Sequence, residues 1–145
     1  VENVLATIKK YDIAPQHLEL EITETVLMKA LDQSYNVLMK LRENGIKVSI
    51  DDFGTGYCSL SYLSRLPVDI LKIDRSFISG HQPSKAVLNM IVAMAKTLGL
   101  KTVAEGVETQ EQKDWLIQEG CDFLQGYFLC RPISNLELEN KYLNS

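Results

Sequence analysis

Short apolar segments alternate with amphipathic ones from end to end of this chain, and that alternation constrains its fold more than any other feature. "LELEIT" (18–23), "KVSID" (47–51), "DILKID" (69–74), "KTVAEG" (101–106) and "DFLQGYFL" (122–129) read as strands. A helix over 1–11 precedes them, with Val1, Val4, Leu5 and Ile8 at helical spacing. Leu27, Leu31, Tyr35, Leu38 and Leu41 mark one helix that Asn44-Gly45 closes. Leu60, Leu63 and Leu66 mark a short one ending before Pro67. Ser84 caps a helix carrying Val87, Leu88, Ile91, Ala95 and Leu98, which Gly99 ends. Thr109 and Gln112 form a capping box ahead of a helix that buries Trp115 and Leu116 and stops at Gly120. Strands that alternate with helices build a parallel sheet. The chain is therefore an α/β domain over 1–145, with five parallel strands. That is more than half of a TIM-type (β/α)8 barrel, or alternatively an open doubly wound sheet.

The placement of polar residues favours the partial barrel. The carboxyl ends of the strands, where function collects in both architectures, carry Glu21 and Glu24, Asp51 and Asp52, Lys72 and Asp74, Glu105 and Glu108, and Gln125. Side chains alternate faces along a strand. Glu19 and Glu21 thus oppose Leu18, Leu20 and Ile22. Ser49 and Asp51 oppose Val48 and Ile50, while Ile70, Lys72 and Asp74 oppose Leu71 and Ile73. One charged residue per strand can point at a common axis, with the apolar faces turned to the helices.

Glu21, Asp51, Asp52 and Glu105 at one barrel mouth would each cost several kcal/mol to desolvate without counter-charge. Lys72 balances only one of them. Two divalent cations balance the rest, and all-oxygen ligation without Cys or His favours Mg²⁺ or Mn²⁺. Two such ions about 3.5–4 Å apart suit in-line displacement at a phosphodiester. Taken singly, Asp52 and Glu24 also read as plain helix caps or loop charges. Gly54 and Gly56 read as a tight turn or an anion nest. Met28, Met39, Met90 and Met94 read as core filler, and Tyr57, Tyr62 and Leu63 as core or as an apolar patch for a partner.

A net charge of −4, without a basic run, gives no footprint for a nucleic acid polymer. No apolar stretch reaches the length of a membrane span. Cys58, Cys121 and Cys130 are odd in number and lack metal-type spacing, which reads as reduced thiols in a cytoplasmic protein. His17 and His81 lie too far apart to suggest a histidine metal site or triad. The chain opens on Val1 rather than methionine, which reads as a piece of something longer.

"LELEITE" (18–24), "IDDFGTGYCSLSYL" (50–63), "LKIDRSFI" (71–78), "VAEGVET" (103–109) and "GCDFLQGYFLCRP" (120–132) together resemble the EAL-domain cyclic-di-GMP phosphodiesterases. The resemblance implies a TIM-type barrel that opens cyclic-di-GMP to linear pGpG with two Mg²⁺ or Mn²⁺ ions. It implies that Glu21 ligates one metal, that Asp51 bridges both, and that Asp52 and Glu105 serve the second. Lys72 would hold or polarise the attacking water, Gln125 would support the water network, and Glu108 would assist at the cluster. Glu24 would anchor the Asp-Phe-Gly-Thr-Gly loop, and Asp74 is a candidate for substrate binding. Residues 53–63 would link the site to a homodimer interface. Cys58 stands where the family usually has serine, and the connection between Phe77 and Val87 is short. The Glu-Ala-Leu motif is not in this chain, nor are the early strands that carry it and the asparagine ligand. The isolated chain is therefore expected to be weakly active or inactive. A non-catalytic module that senses cyclic-di-GMP or pairs with a protein is the alternative. On the residues alone, a magnesium-dependent barrel lyase with Lys72 as base is a third reading.

Overall fold

A computed structural model describes residues 1–29, 31–56, 60–79 and 84–143. The elements run α1 (Glu2–Lys10), β1 (Glu19–Thr23), α2 (Glu24–Lys29), α3 (Leu31–Glu43), β2 (Lys47–Phe53), α4 (Leu60–Leu63) and β3 (Ile70–Ile73). They continue with α5 (Ser76–Ser79), α6 (Lys85–Thr97), β4 (Lys101–Glu105), α7 (Gln110–Glu119), β5 (Phe123–Gln125) and α8 (Asn135–Leu138), followed by a helical turn over Glu139–Leu143. All strand pairings are parallel and the sheet order is β1-β2-β3-β4-β5. A doubly wound sheet needs a reversal of strand order; this one has none. With right-handed crossovers, sequential order lays every helix on the same face, as in an arc of a barrel. The arc does not close on itself, so the partial-barrel expectation holds.

The helix-covered face is the core. Val48, Ile50, Leu71, Ile73 and Ala104 point there and are fully buried, under Leu27 of α2, Leu38 and Leu41 of α3, Leu88, Ile91, Val92 and Ala95 of α6, and Leu116 of α7. These side chains alternate with the charged ones along each strand, so the same period of two builds the core and the site. Ser84 accepts from Val87 N to start α6, and Thr109 and Gln112 close their capping box at α7.

Two aspartates staple the strand starts, a feature the sequence reading did not anticipate. Asp69, just before β3, accepts from Val48 N (3.0 Å) and pairs with Arg42 (2.8 Å). Asp122, just before β5, accepts from Thr102 N (3.0 Å) and from Lys101 Nζ (2.6 Å). Burial works against the charge on Asp122, yet the bonds from Lys101 and Thr102 hold its carboxyl below the usual aspartate value. A lowered value stabilises the fold above the unfolded pKa, and the gain is lost as pH falls through the folded one. Asp122→Asn is therefore expected to cost about 1–2 kcal/mol at neutral pH. The gap to the parent should shrink below about pH 4 in urea titrations, and an equal gap at both pH values would contradict this reading.

Several expectations need correction. The fifth strand ends at Gln125 rather than running to 129. Gly126 packs on Val107, and Leu129 N and Cys130 N fold back to the Gly126 carbonyl, so the chain turns. The short α5 was not expected; Asp74 Oδ1 accepts from Ser76 N and caps it. Met90 is 66% exposed and is no core filler, whereas Met94 packs against the core. Trp115 is half-buried, while Leu116 is fully so. Leu63 is buried and Tyr62 exposed. Cys121 and Cys130 are free thiols, and His17 lies exposed. Tyr57, Cys58, His81 and the side chain of Met28 lie outside the described residues.

Candidate active site

Parity brings Glu21 of β1, Asp51 of β2, Lys72 of β3 and Glu105 of β4 to the sheet face away from the helices. The Lys72 ammonium sits among the other three, 2.7 Å from Glu21 Oε1, 2.8 Å from Glu105 Oε1 and 3.2 Å from Asp51 Oδ1. Lys72 is buried, held in β3 between Leu71 and Ile73, which anchor in the core. Burial opposes its charge, but the close carboxylates of Glu105, Glu21 and Asp51 outweigh that and hold the ammonium above the ordinary lysine value. The single cation expected at this mouth is thus shared by three acids.

Asp52 reaches the mouth by a different route. Strict alternation would turn it toward the helices. The β2–β3 register is irregular between Ile50 and Phe53, and Asp52 adopts a left-handed φ of 53°. Aspartate tolerates that conformation better than most residues. The result is that successive residues serve the same site: Asp51, Asp52 and Glu105 each offer a carboxylate oxygen, all within 4.8 Å of one another. Asp52 has a raised carboxyl pKa, through desolvation first and then repulsion by Asp51 and Asp74.

The donor set fits a hard divalent cation. It is all oxygen, and Asp51 Oδ1 is buried without a hydrogen bond, its contact with Lys72 being an ion pair only. Glu24, at the start of α2, is buried, and its Oε2 accepts from Gly54 N (3.1 Å) and Gly56 N (3.2 Å). A Cβ at Gly56 would stand 2.6 Å from the Glu24 carboxylate, which explains the glycine there.

The remaining sequence candidates lie at the same strand ends with different surroundings. Gln125 pairs in register with Glu105, and its carbonyl accepts from Val107 N (3.1 Å). Glu108 is exposed, its N–H bonded to Gln112 Oε1 (2.7 Å). Asp74 is occupied as the cap of α5. Two features escaped the sequence reading. Ser49 lies fully buried on the Asp51 face with no hydrogen bond for its Oγ; its parity was legible, its lack of a partner was not. Beyond Gln125 lies a cavity of about 540 Å³ lined by Tyr127, Arg131 and Pro132, with the Arg131 guanidinium 5.1 Å from the Tyr127 ring centre.

Comparison with known proteins places the chain in a family. The EAL domain family matches over residues 1–132. The cyclic di-GMP phosphodiesterase NbdA of Pseudomonas aeruginosa is 47% identical over 96% of this chain, which corresponds to 18% of NbdA. Among solved structures, the PaMucR phosphodiesterase in complex with c-di-GMP superposes with a TM-score of 0.91 at 46% identity, covering 94% of this chain and 57% of that one. Klebsiella pneumoniae BlrP1, in its calcium and cyclic-di-GMP complex, gives a TM-score of 0.81 at 35% identity over 89% of this chain and 34% of its own. The chain therefore spans less than two thirds of each relative. With the family matched over nearly its whole length, the chain belongs to the EAL domain family.

Proposed function

We propose that residues 1–145 carry the carboxylate and lysine half of a metal-dependent phosphodiesterase site that hydrolyses cyclic-di-GMP to linear pGpG. The observation that carries this reading is Lys72 meeting Glu21, Asp51 and Glu105 beside Asp52 at the open strand ends. Glu21, Asp51, Asp52 and Glu105 would hold two divalent cations, Mg²⁺ or Mn²⁺, with Asp51 shared between them. When bound, such a pair acidifies water and neutralises phosphodiester charge. Lys72 orients the attacking water, with Gln125 and Glu108 completing its network of hydrogen bonds. Glu24 keeps the glycine loop, and with it Asp51 and Asp52, in place. Asp74 contributes to substrate binding at the rim. A cytoplasmic homodimer through residues 53–63 completes the proposal; exposed Leu60 and Tyr62 support an apolar contact there.

The alternative reading is a module that binds cyclic-di-GMP or a protein without hydrolysis. The test is chromatography of pGpG formed from cyclic-di-GMP with Mn²⁺, with Asp51→Asn in parallel. Weak, Mn²⁺-dependent turnover lost in Asp51→Asn is the expected result. Turnover that survives Asp51→Asn would overturn the catalytic assignment, and binding without turnover would favour the second reading.

A further inference from the structure

We propose that Lys72 is a resident counter-ion of the metal-free site, which must leave Asp51 and Glu105 when a divalent cation enters. The proposal rests on the metal-site reading above and concerns how that site is loaded.

The geometry points to competition. An ammonium has three N–H donors and no acceptor. Three carboxylates surround Nζ of Lys72, at 2.7, 2.8 and 3.2 Å. Two of these, Asp51 and Glu105, also belong to the trio whose oxygens converge within 4.8 Å. The same two carboxylates therefore face two rival cations. Asp52 completes the trio but has no ion pair with Lys72 among the described residues, so a cation arriving there meets a carboxylate the lysine has not neutralised. A divalent ion bound to Asp51 and Glu105 would stand against an ammonium at contact distance from both, and like charges that close repel strongly. The ammonium keeps its charge throughout; only its contacts change.

Release has a second consequence. While Nζ is ringed by three acids, its charge is committed to them. Freed from Asp51 and Glu105, it offers donors at the mouth where a water has to be oriented. Loading the site and arming Lys72 become one event. The lysine also keeps the empty site from holding four uncompensated acids, an arrangement that would strain the strand ends.

The experiment is Mn²⁺ binding to the 145-residue chain by calorimetry at one fixed pH, comparing wild type, Lys72→Met and Asp52→Asn. Lys72→Met is expected to bind Mn²⁺ about tenfold more tightly than wild type, because the resident cation is gone. Its melting temperature should be lower than wild type in EDTA and should rise more when Mn²⁺ is added. Unchanged or weaker Mn²⁺ affinity in Lys72→Met overturns the proposal. Asp52→Asn reports on the site itself: loss of affinity supports the metal-site reading, and unchanged affinity refutes that reading and the present proposal with it. Should Lys72→Met fail to fold, the wild-type chain still decides. The Nζ resonance of Lys72, seen by ¹⁵N NMR as a slowly exchanging ammonium in EDTA, should shift and exchange faster with saturating Mg²⁺. An unaltered resonance in the loaded protein would show that the lysine does not leave.

Discussion

Gly126→Ala is expected to destabilise the chain by about 3 kcal/mol or more, among the larger effects a single substitution produces. Backbone dihedrals do not account for this, because Gly126 is not among the glycines with positive φ. Space does: a Cβ there would overlap the N, C and O atoms of the Val107 backbone. Backbone cannot swing aside like a flexible side chain, and Val107 is fully buried. The overlap would also break the exchange that docks β5, in which Val107 N donates to the Gln125 carbonyl (3.1 Å) and Phe128 N to the Val107 carbonyl (3.0 Å). Gln125 would then lose its register beside Glu105. Gly120→Ala is the matched comparison. Its φ is 86° but nothing lies within 4 Å of the added carbon, so only the left-handed backbone is penalised, by about 1–2 kcal/mol. Urea unfolding of both variants checks the ordering; equal losses would show that the Val107 contact relaxes.

The sequence was informative where the physics is local. A period of two along each strand separates Val48 and Ile50 from Ser49 and Asp51, and Leu71 and Ile73 from Lys72, with no knowledge of neighbouring strands. The structure packs the first set under the helices and turns the second to the opposite face of the sheet. Capping is just as local, and Ser84 and Thr109 sit where their residue types place them. What escaped depends on contacts between distant segments. The convergence of Lys72 on three acids needs the relative heights of four strands. Asp52 reaches the mouth through a register irregularity that involves β3. The end of β5 is decided by how Gly126 meets Val107, and the exposure of Met90 by which side of α6 turns to the sheet. Glu24 combines both cases. Its role as a loop anchor was implied by resemblance, while nothing in its immediate sequence says that its oxygen reaches two peptides of a loop beyond β2.

That bridge gives the other large expected effect. Glu24→Ala should cost about 3 kcal/mol, because it strips the acceptor from two N–H groups, each worth about 1–3 kcal/mol when left unsatisfied. Water entering the space offsets part of the sum, and the carbon removed from a buried position adds to it. Both N–H groups, of Gly54 and Gly56, go to the same oxygen, Oε2. Glu24→Gln keeps an acceptor for both of these bonds, since its amide oxygen can take the place of Oε2, and it should cost less than Glu24→Ala. The two variants should diverge in a second readout as well. Residues 54–56 follow directly on Asp51, Asp52 and Phe53, and the left-handed turn at Asp52 depends on where that loop is held. Releasing the loop in Glu24→Ala should let Asp52 drift from Asp51 and Glu105 and weaken Mn²⁺ binding by about tenfold, a loss of roughly 1.4 kcal/mol in binding free energy. Glu24→Gln should keep Mn²⁺ affinity near that of the parent. If the amide variant lost as much as the alanine variant in both urea unfolding and Mn²⁺ titration, the charge of Glu24 rather than its hydrogen bonds would be what holds the loop.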